Sequence, residues 1–492
     1  MIDALPSWLP LAAVLASLCA VPFIVFTGEK DRNLREFWTL LAAATKLIIV
    51  LLMLPQVLAG FQLECTLFPL APGVPLQFRV DGMGMLFALV ASVLWIVTTV
   101  YSIGYMRSHN EPNQTRFFAF FAVSLCATLG VAFAGNLLTL YLFYEMLSLA
   151  TFPLVTHNQD KEARSGGRTY LTYLLGTSIG FALPAMLFLY VKSGSSLTFS
   201  ELHDWNGVLD GTAVLVLLLL FVFGFAKAGV MPVHSWLPNA MVAPTPVSAL
   251  LHAVAVVKVG VFCIIRIFTG VLGTDFLKQF DAATVISWIA GFTVITSSLI
   301  ALSQDNLKRR LAFSTIGQLS YIVLGVSLLS PLAVTGSMLH IAMHACGKIT
   351  LFFCAGAIYV AAHKKYVSGM VGIGRRMPLT MTAFAIGSLS VIGLPFTGGL
   401  VSKWYLVMGT MEAGQIGLLV VFLVSSILNA AYFLPIVYQA FFKEPGPALA
   451  EVREAPIFCL VPLCITATFS VLLFFFPKTL LTLVGQISGV TF

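Results

Sequence analysis

Lys46, Lys227, Lys258, Lys348 and Lys403 each lie inside a long apolar stretch, and Glu145 lies in another, flanked by Leu-Phe-Tyr and Met-Leu-Ser. Placing one such charge at the centre of a bilayer costs about 2.5 kcal/mol or more, so these groups are expected to face protein interior or a hydrated path. Burial disfavours the charged form of an amine or carboxylate and an opposite charge restores it, so such groups exchange protons under small electrostatic changes. On that ground Glu145 can pair with Lys227, and loosening the pair can release a proton. His340, His344 and Lys348 follow at four-residue intervals, which puts them on nearly one helical face. A proton relay or hydrated polar stripe is the favoured reading of that face, and a structural hydrogen-bonded pair of histidines is the alternative. A metal site is disfavoured, because a third ligand is wanting and the amine repels a cation. His252 precedes Lys258 by six residues, about 240° round a helix, so the two are not stacked but can border one bent aqueous path at different depths. Lys46 has no such company and reads as snorkelling to an interface.

Two of the lysines stand beside expected breaks. In Phe223-Gly224-Phe225-Ala226-Lys227-Ala228-Gly229-Val230-Met231-Pro232 the proline cannot donate its backbone bond and opens the helix near Lys227. Gly393-Leu394-Pro395-Phe396-Thr397-Gly398-Gly399 does the same ahead of Lys403, in a stretch too long for one straight span. Half-helix ends inside a membrane occur where a cavity or ion path satisfies the freed backbone groups. A proline kink used for packing, with Lys403 snorkelling, is the plainer alternative. Between residues 231 and 246 four prolines and few charges predict a short rigid connection packed on the bundle.

The elements that must carry these groups follow from composition. Of 492 residues 59% are apolar and only 10% charged, where a soluble domain has about a quarter charged. A soluble enzyme, a disordered chain and a secreted disulfide scaffold are excluded, leaving a polytopic membrane protein. Cutting at charge, Gly and Pro gives apolar segments near 9–26, 37–58, 81–105, 117–134, 136–155, 169–191, 212–231, 247–267, 282–301, 311–329, 336–361, 378–411, 416–442 and 455–476. The fourth and fifth are separated only by Gly135 and Asn136, so a re-entrant hairpin there would change the count. The first run lacks a basic lead and a cleavage site and reads as a retained helix. With the N-terminus outside, seventeen Lys and Arg fall in inside loops and five outside, which favours both termini outside. The net charge of +7 is explained by that retention, so no nucleic-acid partner is expected. Seven of the eight Cys, all but Cys65, fall in apolar stretches without CxxC spacing and read as small buried residues. Gly317, Gln318, Ser320 and Tyr321 read as a packing and anchoring start to the tenth span. No GxxxxGK[ST] or GxGxxG motif is present, and no cofactor is expected in this chain.

These motifs resemble the antiporter-like membrane subunit superfamily shared by respiratory complex I, Mrp-type cation/proton antiporters and membrane-bound hydrogenases. The resemblance rests on Tyr144-Glu145-Met146, Ala226-Lys227 through Pro232, His234, Trp236-Leu237-Pro238, the run from Ala243 to His252, and Lys258. It continues through Ser303-Gln304-Asp305-Asn306-Leu307-Lys308-Arg309, His340 with His344 and Lys348, and Pro395 to Lys403. It implies an all-α polytopic membrane protein of about 14 transmembrane helices, with two inverted five-helix repeats and broken helices 7 and 12. The implied division is an N-terminal three-helix region at 1–110, repeats at 117–267 and 282–442, and a C-terminal helix and tail at 455–492. It further implies Glu145 paired with Lys227, Lys258 as central carrier, His340, His344 and Lys348 as connection, and Lys403 as exit group, with His252 beside them. The largest complex I member carries a long C-terminal lateral helix and the middle one a Glu at the position matched by Lys403, so the resemblance leans to the D-type member of Mrp antiporters. The implied function is a proton-translocating subunit of a multisubunit complex in the inner (plasma) membrane. Its implied partners are antiporter-like and small helical membrane subunits, protons, possible exchange for Na⁺, and lipids. The alternatives are a proton-pumping subunit of a complex I-like or hydrogenase complex, a self-contained transporter of an organic solute, and a non-conducting docking subunit.

Overall fold

The computed structural model describes residues 4–194, 196–199, 204–449 and 451–491, with the side chains of His252 and Ala448 outside the description. The first half of the described chain folds into α1 (Leu9–Thr27), α2 (Arg32–Leu58), α3 (Gly82–Ser108), α4 (Gln114–Ala132), α5 (Leu137–Val155), α6 (Lys161–Thr177), α7 (Leu183–Lys192), α8 (Gly211–Gly224), α9 (Trp236–Asn239), α10 (Thr245–Ala249) and α11 (Val256–Arg266). The second half adds α12 (Thr274–Leu277), α13 (Ala282–Ser303), α14 (Leu307–Ser327), α15 (Pro331–Ala362), α16 (Pro378–Ile392), α17 (Gly398–Glu412), α18 (Ile416–Phe442), α19 (Ile457–Phe475) and α20 (Lys478–Ser488). Helix starts are written locally: Asp31, Asp81, Asn136, Asp160, Asp210 and Asn306 each accept a main-chain N–H from the first turn they precede.

Among the described residues ten helical stretches are long and apolar enough to cross a membrane, with α6 and α7 counting as one through a widened turn at Ser178–Ala182. The other four expected spans are the broken pair α8 and its continuation, the interrupted α10–α11 stretch, the less apolar α14, and the split α16–α17. Within their apolar windows α3, α4 and α15 are 78% buried while α1, α2, α18 and α19 are 33% buried, so the former make the centre and the latter the lipid-facing flanks. α4 and α5 are separate helices of 19 residues each.

The chain is mostly helical, as expected, with one small sheet added. Residues left between the apolar segments near 37–58 and 81–105, with three near the N-terminus, form a three-stranded sheet in the order β1 (Ala4–Pro6), β2 (Gln62–Ala71), β3 (Val74–Val80), parallel then antiparallel. Here Leu63, Cys65, Phe78 and Val80 point inward and alternate with Glu64, Thr66, Gln77 and Arg79 on the other face. The sheet clasps neighbouring connections: Arg79 N–H donates to Phe133 O at 2.6 Å, Gly135 N–H to Gln77 O at 2.9 Å, and Phe199 N–H to Gly135 O at 3.0 Å.

Candidate functional site

Lys227 sits in a helix break. α8 stops at Gly224, a single 3-10 turn covers Ala226–Ala228, and Gly229 follows at φ +69°. α11 closes on this break through Gly260, where a Cβ would come within 2.2 Å of Ala228 N. The Lys227 ammonium is fully buried and donates to Ser148 Oγ at 2.6 Å and Tyr144 O at 2.8 Å, with its nitrogen 3.1 Å from the Tyr144 ring centroid. The expected pair with Glu145 is not closed. Both Glu145 carboxylate oxygens are buried without a hydrogen-bond partner, and no ion pair joins them to Lys227 within 4 Å. The reason is helical: Tyr144 and Ser148, four apart, share the face that holds Lys227, and Glu145 is turned about 100° from it, toward Tyr141 and Ser178.

Lys258 also follows an interruption. A π-type turn at Leu250–Val254 ends in Ala255 at φ −110° and ψ −80°, and α11 restarts at Val256. The side chain of His252, within that turn, lies outside the described residues. Lys258 Nζ is hydrogen-bonded to His344 Nδ1 on α15, while His344 Nε2 is buried without a partner. The His344 and His340 rings are 5.6 Å apart and nearly parallel, and Tyr321 of α14 stacks on His340 at 5.8 Å. His340 is fixed at both nitrogens, by Ser402 Oγ at 2.8 Å and Gln318 Oε1 at 3.0 Å.

On the other side of Tyr321, Lys403 Nζ lies 4.7 Å from its ring centroid. Lys403 belongs to α17 but donates to Val391 O and Ile392 O, both at 2.9 Å, at the end of α16. It therefore caps carbonyls freed by the break instead of snorkelling. Lys348, although on the face of His340 and His344, is not in their file. It donates to Ser314 Oγ at 2.7 Å and Leu311 O at 3.2 Å, and Ser314 in turn accepts from Tyr432 OH at 2.8 Å. The anchoring role read for Gln318 and Tyr321 is corrected by these contacts, since both are buried in the middle of the file. Tyr144 and Ser148 stood beside Glu145 without a role of their own, and Ser314, Ser402 and Tyr432 were given none; Tyr144 and Ser402 each adjoin a charged residue and Ser314 lies four from Arg310, while Tyr432 carries no such signal.

The end of the molecule that carries most basic residues holds a cavity of about 410 Å³ lined by Tyr105, Glu111, Asp160, Thr245, Lys308 and Tyr359. Burial pushes the Glu111 carboxyl up, and burial followed by the neighbouring His363 pushes the His109 imidazole down.

A family model described as NADH:quinone oxidoreductase/Mrp antiporter, TM, matches residues 134–429, which include all eight proposed site residues. The chain belongs to this family. A second model, NADH-Ubiquinone oxidoreductase (complex I), chain 5 N-terminus, matches residues 72–118. Over 420 residues the chain is 34% identical to NADH-quinone oxidoreductase subunit N of Desulforudis audaxviator, covering 82% of each. It is 29% identical to the "Putative antiporter subunit mnhA2" of Staphylococcus haemolyticus over 95% of its own length but only 62% of that longer chain. In fold it is similar to a chain of the Mrp complex from Dietzia sp. DQ12-45-1b, with TM-score 0.87, 22% identity, and 98% and 96% of the two chains covered. A chain of the membrane-bound sulfane sulfur reductase, an archaeal respiratory membrane complex, gives TM-score 0.85 at 22% identity, covering 98% and 97%. The protein is thus a mostly helical, multi-pass antiporter-like membrane subunit.

Proposed function

We propose that the chain translocates protons as one subunit of a multisubunit complex in the inner (plasma) membrane, with both termini outside, fourteen crossings, and inverted repeats at 117–267 and 282–442. The observation that carries this reading is the buried succession Lys258, His344, His340, Tyr321, Lys403, in which a hydrogen bond between amine and imidazole is followed by ring stacks at 5.6 and 5.8 Å and an amine 4.7 Å from the last ring. His344 accepts a proton from the Lys258 ammonium at Nδ1 and releases one from Nε2, which faces no protein group, to water; proton exchange that returns hydrogen to Nε2 and frees Nδ1 then resets the ring for the next transfer. Lys227 supplies the file from the first break and Lys403 discharges it at the second. Moving one charge across 100 mV is worth about 2.3 kcal/mol, comparable to a shift of under two pKa units on one lysine, so small rearrangements of charge suffice.

The finer assignment is to the D-type member of an Mrp Na⁺/H⁺ antiporter or a close relative, supported by the Lys at 403. The 34% identity with an NADH-quinone oxidoreductase subunit supports a second reading, a proton-pumping subunit powered by a redox partner. Replacing Lys227, Lys258 and Lys403 singly by Ala and following cation-dependent proton movement in vesicles tests the common core. Rates are expected to fall on the order of a hundredfold. Normal rates in all three, with the complex assembled, would show a docking role instead. Co-purification in mild detergent separates the two finer readings: small membrane partners alone indicate the antiporter, partners with metal-binding Cys motifs the redox complex.

A further inference from the structure

Lys46 lies outside residues 134–429 and off the file described above, and it does not snorkel. It is fully buried among α1, α2, α3 and α4. Its ammonium donates to Ser17 Oγ of α1 at 2.8 Å and to Leu125 O of α4 at 3.1 Å, and lies 5.1 Å from the Trp95 ring of α3. No carboxylate within 4 Å neutralises it among the described residues. The setting repeats that of two lysines in the family-matched core. Lys227 has Ser148 at 2.6 Å, a main-chain carbonyl at 2.8 Å and an aromatic face; Lys348 has Ser314 at 2.7 Å, a carbonyl at 3.2 Å and the Phe433 ring at 5.4 Å. In each case one serine hydroxyl, one helix carbonyl and one ring hold the amine, a set that accepts its protons without fixing its charge as a carboxylate would.

Polar groups follow Lys46 along the buried face of α2 in one direction only. Thr39, seven residues earlier on the buried face of α2, is followed by Glu36, which pairs with Arg107, and by Arg35, which pairs with the half-exposed Glu29 at 2.6 Å. In the opposite direction that face continues with Val50, Met53 and Val57, all fully buried, which offer no polar group. Ser92 Oγ and Trp95 Nε1 of α3, the latter on the ring that faces the amine, are buried without hydrogen-bond partners. α4 in turn packs on α11, the helix of Lys258.

We propose that Lys46 is a further proton-binding residue, loaded and unloaded from the Glu36 end of α2, whose charge acts on the main file without being part of it. A proton passes from water near Glu36 along Thr39 to the amine and returns by the same route, so the branch stores charge and conducts none through. A charge at Lys46 repels one at Lys258, and loading the first favours release from the second. This rests on the proton-translocating reading and deepens it.

The test uses the whole complex in vesicles, with assembly checked by co-purification of its partner subunits. Lys46→Met fixes the position neutral and Lys46→Arg fixes it charged, and Lys258→Ala is the control for the reading itself. With Lys258→Ala abolishing proton movement, both Lys46 variants are expected to slow it about fivefold. A normal rate in Lys46→Arg would overturn the proposal in favour of a structural cation, and a normal rate in Lys46→Met would overturn it outright. An unchanged rate in Lys258→Ala overturns the proton-translocating reading and this proposal with it. Where Lys46→Met does not assemble, Ser17→Ala removes one acceptor and keeps the amine: slower movement supports the proposal, and the wild-type rate overturns it.

Discussion

Burial holds the imidazole of His157, in the turn after α5, down to about 4, with Arg116 adding to the effect. Both of its nitrogens are enclosed without partners, so the native chain refuses a proton that the unfolded chain binds near 6.5. The contribution to stability is complete above about 6.5 and is lost as pH falls from there toward about 4. An apparent Tm measured against pH is expected to decline across that window in the wild type and to decline less in His157→Phe; parallel curves would contradict this. At Tyr321 the ring, not the hydroxyl, joins His340 to Lys403. Tyr321→Phe is therefore expected to keep proton movement within about twofold, whereas Tyr321→Leu, which removes the face presented to the cation, lowers it about tenfold. Equal rates in the two variants would place the ring outside the route. At this scale the sequence disclosed the charged groups but not what they touch: Glu145 beside Tyr144 looks like a direct partner for Lys227, and only the turn of α5 gives the amine to Tyr144 and Ser148 instead. Lys46 looked solitary because Ser17 and Leu125, which hold it, are contributed by other helices.

The breaks in the helices were legible where proline and glycine write them and illegible where packing imposes them. Pro232 and Gly393-Leu394-Pro395 announce the interruptions beside Lys227 and Lys403, and both are found. Nothing in Ala253-Val254-Ala255-Val256 announces the one before Lys258, since residues of that kind continue a helix readily. The strands at 62–80 went unread for a different reason: Glu64, Thr66, Gln77 and Arg79 alternate with Leu63, Cys65, Phe78 and Val80, but a division of the chain by long apolar runs passes over so short an amphipathic stretch. The close fit of α11 on the first break gives an expectation at this scale. Gly260→Ala places a methyl 2.2 Å from Ala228 N and 2.3 Å from Lys227 C, and is expected to cost about 1–3 kcal/mol. Gly176→Ala, on the outer face of α6 with nothing within 4 Å, is expected to be neutral or to stabilise by about 0.5–1 kcal/mol. Thermal unfolding of the two variants in one detergent compares them, and similar losses in both would remove the packing argument.

Across the whole molecule, few charged contacts tie distant segments together, and Asp81 with Arg266 is one. The carboxylate caps α3 and accepts from both Nη atoms of Arg266 at the end of α11, at 2.5 and 2.7 Å. Asp81→Asn leaves a nearly buried guanidinium without its counter-ion, for an expected loss of about 3–5 kcal/mol. The double variant Asp81→Asn with Arg266→Met is expected to recover part of that loss, and failure to do so would mean the pair is not what joins the two helices. The sheet at 62–80 works on the same scale. By gripping residues 133–136 and Phe199 it immobilises the roots of α4 and α5, and with them the carbonyl and hydroxyl that cradle Lys227. The hairpin is thus a splint: a change that loosened it would reach the amine in the first break through the backbone of α5, although no residue of the sheet touches that amine.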